Sequence, residues 1–338
     1  MAAEQTELTL ATIADATPAT VADVLGAPVT RVEALSGGAS SATYAVDAVR
    51  GDGTLWPLIL QCAATGSVAE GGLPRADQAR LQQIAFAAGL PVAEVVRVLA
   101  PADGLGEGFV MARLPGEALA SRWLKLPDYA PARAALTGQC AAVLAKLHQL
   151  PMAAAAGLAL PAGSTVELLD RMFANYRRFG VESPVFDLAF AWLRERVTDR
   201  PASHIVHGDF RSGNFLVTPA GLTAVLDWEL AHLGDSHEDL GWLCCNSWRF
   251  GVWQNPVGGF GQRDELYAAY EAAGGGPVDR DRAALWEVWG TLKWGMACLQ
   301  LGDDHVSGRL RSVERAAIGR RVSEVELDLM HMLKFGSV

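Results

Sequence analysis

The sequence predicts an α+β protein with two lobes: a small mixed-sheet N-terminal lobe, residues 1–112, and a larger, mainly helical C-terminal lobe, residues 113–338. Strand-like segments and turns dominate the first part, whereas hydrophobic residues at three- and four-residue spacing dominate the second. A chain of 338 residues is long enough for one large two-lobed domain. Two lobes of this kind predict a cleft between them, where ligands bind.

The composition is typical of a packed globular protein, with 50% hydrophobic and 20% charged residues. A net charge of −10 argues against nucleic-acid and anionic-membrane partners, because both require a positive surface. The five cysteines form no C-x-x-C pair and are odd in number, which indicates buried thiols in a reducing compartment. Since no apolar segment is long enough to span a bilayer, we expect a soluble, cytoplasmic protein.

The N-terminal lobe begins with a predicted hairpin, in which "ATYAVDAV" and "WPLILQC" flank the turn Arg50–Gly53. The segment Arg75–Leu90 has the apolar spacing of a helix, and Gly89 and Pro91 end it. A further strand, "GEGFVMARL", follows.

The C-terminal lobe has an amphipathic helix in "ARAALTGQCAAVLAKLHQL", with His148 as a hydrogen-bonded interior residue. The segments "GSTVELLDRMFANYRRFG", "DRAALWEVWGTLKWGMACLQLG" and "SVERAAIGRRVSEVELDLMHML" predict further helices. Six tryptophans in this lobe are predicted to be mostly core, a few of them lining an acceptor pocket; they are Trp242, Trp248, Trp253, Trp286, Trp289 and Trp294.

The stretch "IVHGDFRSGNFLV" places polar residues in a short loop between two apolar runs. A hairpin follows, "FLV", "TPAG" and "LTAVLDWE", and it returns Asp227 close to Asn214. Asp209, Asn214 and Asp227 therefore form a group of hard oxygen ligands, which suits Mg²⁺ shared with nucleotide phosphates. A carboxylate that binds no metal is then free to accept a proton from an attacking hydroxyl, as in phosphoryl transfer.

The spacing from His207 through Asp209 to Asn214 matches the kinase pattern H-R-D-x-x-x-x-N. Together with "LSGGASSATYAV", "FVMARLPGE" and "AVLDWELAHLGDSHEDLGWL", it resembles the aminoglycoside-phosphotransferase-like family of the protein-kinase-like fold. More narrowly, the chain is similar to the kinase-like domains that are fused to acyl-CoA dehydrogenases. The resemblance implies a bilobal kinase-like fold and phosphoryl transfer from ATP with Mg²⁺ to a small-molecule hydroxyl.

By this resemblance Asp209 is the catalytic acid-base residue, Asn214 and Asp227 bind Mg²⁺, and His207 orients the loop. Arg211 lies where protein kinases often have a Lys that meets the transferring phosphate. The Gly-rich turn implies backbone contacts to the phosphates, and the interlobe strand implies contacts to adenine. The corresponding residues are Ser36, Gly37, Gly38, Ser40 and Ser41 in the turn and Met111, Ala112, Arg113 and Leu114 in the strand.

The pattern is broken where the family has a Lys or Arg on the strand and a Glu on the next helix, since Gln61 and Gln78 stand there. A neutral amide forms weaker hydrogen bonds to phosphate than a cation does. Three interpretations stay open: Asp77 or Arg75 takes part in a shifted register, Arg80 supplies the charge, or the protein is a nucleotide- or metabolite-binding pseudokinase without efficient turnover.

Two acceptor classes stay open: hydroxyacyl or hydroxyacyl-CoA compounds, from the subgroup, and aminoglycosides or other amino-alcohols, from the broader family. An aromatic lobe with scattered cations, Arg249, Arg263 and Lys293, favours the first. A hydrolase that uses water as the acceptor is a third, weaker function. Asp235 and Asp239 are expected to be caps and loop anchors, with Asp239 as the cap of the helix that follows it.

Overall fold

The computed structural model describes residues 16–35, 41–63 and 72–336. Contacts divide the chain into two compact units. The first unit runs to Pro115 and also contains Gly157–Ala159 and Trp228–Leu230. The second contains Gly116–Ala156, Leu160–Asp227 and Ala231–Val338. Strands dominate the first unit and helices the second, which confirms the predicted α+β class.

The first unit contains five strands and two helices in its described part: α1 (Pro18–Leu25), β1 (Val29–Leu35), β2 (Ser41–Val49), β3 (Leu55–Ala63), α2 (Arg75–Ala87), β4 (Val95–Val98) and β5 (Gly108–Ala112). The predicted hairpin is confirmed as β2 and β3, and Gly53 adopts the left-handed conformation that its turn requires (φ 85°). The segment predicted as a helix forms α2.

The strands form one sheet in the order β1-β2-β3-β5-β4. Every pairing in it is antiparallel, so the expected mixed sheet is antiparallel instead. The reason is that β5 inserts between β3 and β4 and runs opposite to both. One face of β3 alternates Leu58, Leu60 and Cys62, all buried against Val21 and Val24 of α1. Gln61 therefore lies on the opposite face of the sheet.

The second unit contains a helical core and two short ribbons. Its helices are α3 (Ala120–Trp123), α4 (Ala130–His148), α5 (Thr165–Arg178), α6 (Pro184–Arg196), α7 (Ser236–Cys244), α8 (Arg263–Ala272), α9 (Arg280–Val306), α10 (Val313–Gly319) and α11 (Val322–Phe335). Its strands are β6 (His204–Val206), β7 (Phe215–Thr218), β8 (Gly221–Val225) and β9 (His232–Gly234). Antiparallel pairs join β6 to β9 and β7 to β8.

The helices arise where apolar residues recur on one side. On α4 that side carries Leu136, Cys140, Leu144 and Leu147, each 0% exposed, as the spacing predicted. The last predicted helical segment is interrupted at Arg320 and Arg321, so it forms α10 and α11. All five cysteines are buried free thiols, as expected. Within the described ranges, no helix combines the length and apolarity that crossing a membrane requires.

Candidate active site

The loop that contains Asp209 begins where β6 ends. Its backbone forms hydrogen bonds to a buried carboxylate on α7. The N–H groups of His207 and Gly208 donate to the two oxygens of Asp239, at 2.8 and 2.9 Å. Asp239 is 0% exposed and also contacts Nε2 of His148 at 3.2 Å. Burial raises the pKa of Asp239, but the hydrogen bond from His148, the neighbouring imidazoles and the His207 N–H together bring it below its ordinary value.

This arrangement corrects the expected role of Asp239. The residue lies inside α7, and Asp235 caps that helix by accepting the N–H of His237 at 3.0 Å. Asp239 instead anchors the loop from its position on the helix. His148, which contacts Tyr270 Oη at 2.8 Å as well as Asp239, is the hydrogen-bonded interior residue that was predicted.

His207 is buried inside the loop with both ring nitrogens engaged. Nδ1 accepts the N–H of Asp209 at 3.2 Å, so Nε2 must carry the proton that it donates to the carbonyl of Leu226 at 3.1 Å. Burial lowers the pKa of His207 in spite of the nearby carboxylates of Asp239 and Asp209. A neutral imidazole with both nitrogens hydrogen-bonded is consistent with the predicted role of His207 in orienting the loop.

Asp209 is 7% exposed, and three side chains donate to its carboxylate. Arg211 Nε contacts both oxygens, at 2.9 and 3.1 Å, and Trp242 Nε1 donates to Oδ1 at 2.9 Å. Asn214 Nδ2 donates to Oδ2 at 2.6 Å and to the Asp209 carbonyl at 3.0 Å. These hydrogen bonds fix the orientation of the carboxylate.

Two features give the Arg211 side chain its position. Its guanidinium lies over the ring of Trp248, 4.6 Å from the centroid. At Gly213, a side chain would collide with the Arg211 guanidinium, so the missing Cβ leaves the space that Arg211 needs to reach Asp209.

The hairpin β7–β8 brings the two predicted metal ligands to one end. Phe215 is paired with Val225, and the N–H of Leu226 donates to the carbonyl of Asn214 at 2.8 Å. Asp227 follows directly in a left-handed conformation (φ 63°), which is uncommon for a residue other than Gly. Because Asn214 uses its amide nitrogen on Asp209, its amide oxygen is the side-chain atom that the predicted metal ion would contact.

Asn214 and Asp227 fit Mg²⁺ by their chemistry. Both offer hard oxygen atoms, and Mg²⁺ in nucleotide sites takes one or two protein ligands beside phosphate oxygens and waters. In the described part of the chain, no group of three or more His, Cys, Asp or Glu side chains is arranged to hold a metal on its own. A site completed by phosphate is therefore the kind that this donor set suits.

The predicted nucleotide-binding residues belong to the first unit. Ser36, Gly37, Gly38 and Ser40 lie outside the described residues, and Ser41 begins β2. Met111 and Ala112 end β5. The N–H of Ala112 donates to the carbonyl of Glu94, and the N–H of Arg113 donates to the carbonyl of Pro57. The Arg113 side chain forms an ion pair with Asp47 at 2.5 Å. The backbone N–H of Leu114 bonds to no carbonyl among the described residues.

The two glutamines predicted to occupy the positions of the family's ion pair belong to β3 and α2. Gln61 is paired with Thr43 and Phe109 across the sheet. Gln78 is 4% exposed; it donates to the carbonyl of Leu73 at 2.8 Å and accepts from Arg75 at 2.9 Å. Arg80, which the sequence offered as a source of the missing positive charge, is exposed and forms an ion pair with Asp77 at 3.5 Å.

Sequence reasoning missed two residues at the loop. Trp242 was expected in the core or an acceptor pocket, yet its N–H donates to Asp209. Lys293 of α9 donates to the carbonyl of Gly208 at 3.0 Å, pairs with Glu238 at 3.3 Å and lies 4.9 Å from the Trp242 ring centroid. Both approach from helices distant in sequence, so no local motif indicates them.

Two of the cations that were expected to favour an acyl acceptor, Arg249 and Arg263, instead form buried ion pairs. Arg249 is 1% exposed and Arg263 is partly buried, and both bind the carboxylate of Glu287, at 3.4 and 2.5 Å. Glu287 is itself 2% exposed. These guanidinium groups neutralise a buried carboxylate because an unpaired charge there would be costly, so they do not support an acceptor pocket.

Known proteins resemble this chain in sequence and in fold. The chain is 28% identical over 180 residues to human acyl-CoA dehydrogenase family member 11, which covers 50% of this chain and 23% of that protein. Mouse acyl-CoA dehydrogenase family member 10 is 26% identical over 196 residues, 55% of this chain and 18% of the relative. The chain thus spans less than a quarter of the length of these curated relatives.

Solved structures share the fold over nearly the whole chain. A Ralstonia eutropha protein named as a candidate aminoglycoside phosphotransferase has a TM-score of 0.70 at 21% identity, covering 92% of this chain and 96% of that one. A macrolide 2'-phosphotransferase from Brachybacterium faecium has a TM-score of 0.58 at 20% identity, covering 90% and 95%. The model of the family described as "Phosphotransferase enzyme family" matches residues 31–286. The chain therefore belongs to this family, whose kinase-like members the sequence motifs resemble.

Proposed function

We propose that the protein transfers the γ-phosphoryl group of ATP, bound with Mg²⁺, to a hydroxyl group of a small molecule. The observation that carries this proposal is the environment of Asp209. Its carboxylate is oriented by Arg211, Asn214 and Trp242, and Asn214 is joined by the β7–β8 hairpin to Asp227. A base and a pair of Mg²⁺ ligands beside it are the parts that phosphoryl transfer requires.

Asp209 takes the proton in this reaction. The acceptor oxygen forms a bond to the γ-phosphorus while the bond to the β–γ bridging oxygen breaks, and ADP leaves. The acceptor O–H proton passes to Asp209, since no other carboxylate is held within the loop. The backbone bonds to Asp239 keep the loop fixed during this transfer.

Arg211 is the donor that can yield its place to the acceptor hydroxyl. An ionised carboxylate has about four lone-pair positions, and the donors from Arg211, Asn214 and Trp242 use them. Trp242 and Asn214 are buried, whereas the Arg211 side chain is 24% exposed. Displaced by the hydroxyl, the guanidinium is free to bind the transferring phosphoryl group, which carries negative charge.

Asn214 Oδ1 and the Asp227 carboxylate hold Mg²⁺ in this proposal. Bound there, the ion supplies neutralisation of the phosphate charge that develops during transfer. Asn214 thus has two functions: its amide nitrogen orients the base and its amide oxygen binds the ion.

For the acceptor we favour hydroxylated acyl or acyl-CoA compounds. The curated relatives that match half of the chain are named acyl-CoA dehydrogenase family members. The base is flanked by a tryptophan cluster in which Trp242 and Trp248 are buried and Trp294 is partly buried, so Trp294 is the ring of this cluster that offers apolar contact area. A structural neighbour at 17% identity is a complex with GDP and kanamycin, so aminoglycosides remain the alternative acceptor class.

A second candidate function is a nucleotide- or metabolite-binding pseudokinase. It is favoured by the neutral Gln61 and Gln78, because the usual ion pair positions the α and β phosphates. This function predicts nucleotide binding without acceptor-dependent turnover.

The test is ATP consumption in the presence of a panel of hydroxyacyl-CoAs, free hydroxy acids and aminoglycosides. Asp209→Asn should lower kcat about 100-fold or more, because general-base catalysis contributes about 10²–10⁴. Asp170→Asn is the matched control, since its side chain is 62% exposed on α5. Equal turnover by Asp209→Asn and the wild type would refute the role of the base, and ATP binding with no active acceptor would favour the pseudokinase.

A further inference from the structure

The first unit contains a buried cation that the family pattern does not predict. Arg75, the first residue of α2, is 7% exposed. Its Nη1 donates to Gln78 Oε1 at 2.9 Å, and its Nη2 lies 3.6 Å from Glu229 Oε2. An arginine stays protonated even when it is buried, so a permanent positive charge is held at this position.

The helix that carries Arg75 packs on the same sheet that contains the neutral strand position, Gln61. Ala79, one turn after Arg75, packs against Phe109 of β5, and Phe109 is the register partner of Gln61. The thiol of Cys62, next to Gln61, has a pKa that burial raises to about 12 and that the charge of Arg75 partly lowers. These contacts, all within the first unit, place α2 against β5, the strand that pairs with the one on which the family carries its cation.

A different ion pair is present here, between Arg75 of α2 and Glu229. In protein kinases a Lys on the strand is positioned by a Glu on the helix. Here the cation is on the helix, and Glu229 belongs to Trp228–Leu230, the segment that follows Asp227. The segment is fixed to the start of α2 by its backbone as well, because the N–H of Leu73 donates to the Glu229 carbonyl at 2.8 Å.

We propose that Arg75 is the residue that binds the nucleotide phosphates, in place of the missing strand cation, and that Glu229 positions it. The inference rests on the proposed function, since it assigns a residue to the ATP that the reaction uses. Gln78 restrains the guanidinium at 2.9 Å, so this neutral residue orients the cation and does not replace a charge. The glutamines therefore do not abolish phosphate binding.

The experiment measures the affinity for Mg²⁺-ATP by calorimetry and the affinity for adenosine by competition. Arg75→Gln should weaken ATP binding at least tenfold and leave adenosine binding within about twofold, because only ATP has phosphates. Arg80→Gln is the matched control: it removes an exposed arginine from the same helix. In the Arg75→Gln protein, the added change Gln61→Lys should restore most of the lost ATP affinity by returning a cation to the strand.

The outcomes separate this inference from the function on which it rests. A wild-type protein that binds no ATP refutes the proposed function itself. If the wild type binds ATP, an unchanged ATP affinity in Arg75→Gln overturns the inference, as does an equal loss of ATP and adenosine affinity. If Arg75→Gln does not fold, the same two affinities are measured for Arg75→Lys. This variant should lose ATP affinity but not adenosine affinity, because an ammonium cannot replace the guanidinium fork. If it shows no selective loss of ATP affinity, the proposal is refuted.

Discussion

The role of Asp239 as the anchor of the catalytic loop can be tested by Asp239→Asn, which keeps the shape of the side chain and removes its charge. The carboxylate accepts from the N–H groups of His207 and Gly208 and contacts His148 Nε2. An amide has one acceptor oxygen, so its NH₂ group must face one of these donors. Losing a hydrogen bond to a charged group costs about 1.5–3 kcal/mol, and an unsatisfied buried donor costs about 1–3 kcal/mol.

The two contributions sum to about 2.5–6 kcal/mol, and we expect a destabilisation of about 3–5 kcal/mol, the range measured when one partner of a buried pair is removed. At about 2–4 °C per kcal/mol for large domains, Tm should fall by roughly 6–20 °C. Thermal unfolding followed by circular dichroism measures this change. Asp187→Asn is the control: its side chain is 46% exposed on α6, so its effect should stay within about 0.5 kcal/mol.

The effect of Asp239→Asn on Tm should depend on pH. Because the pKa of Asp239 is lower in the folded protein than the unfolded value of about 3.9, its charge stabilises the fold above that pH. This stabilisation is lost as the pH falls through the folded pKa. The difference in Tm between the wild type and Asp239→Asn should therefore shrink below about pH 4. A Tm within 2 °C of the wild type at pH 7 would show that Asp239 does not anchor the loop.

Two further predictions concern the base and the metal ligands. Trp242→Phe removes the N–H that donates to Asp209. Because the lost hydrogen bond is worth about 1.5–3 kcal/mol, kcat should fall about 10–100-fold while ATP affinity stays unchanged. Trp289→Phe in the helical core is the control, and equal kcat values in the two variants would contradict the prediction. Asp227→Ala should weaken the binding of Mg²⁺-ATP in calorimetry without changing the binding of ATP in EDTA, and an equal effect in both conditions would remove Asp227 from the metal site.

The sequence predicts most of the local structure because local spacing determines it. The β2–β3 hairpin, α2, α4 and the β7–β8 hairpin each follow from periodicity and turn residues in their own segment. The loop with Asp209 and Asn214 is likewise local, since His207 to Asn214 is one continuous short segment of the chain. These features need no knowledge of the tertiary fold.

The anchors of the loop are not predictable in this way. Asp239 lies 32 residues from His207 in sequence and Lys293 lies 85 residues from Gly208. Asp239 precedes an apolar run, so the sequence indicates a helix cap, and only the packing of α7 against β6 shows that its carboxylate reaches the loop. For Arg249 and Arg263, charge alone cannot reveal that Glu287 is buried between them and binds both.

The peptide groups around Gly208 explain why these distant anchors matter for catalysis. Gly208 has φ 75°, a conformation that residues with a side chain disfavour. Its N–H is bound by Asp239 and its carbonyl by Lys293, so α7 and α9 restrain both sides of the residue that precedes Asp209. Asp227 also has a positive φ, and backbone strain of this kind persists only where surrounding contacts impose it. The proposed base and the proposed metal ligand are thus held in position before any substrate binds, and in the proposed reaction the entropy of ordering them is lost in folding, not in catalysis.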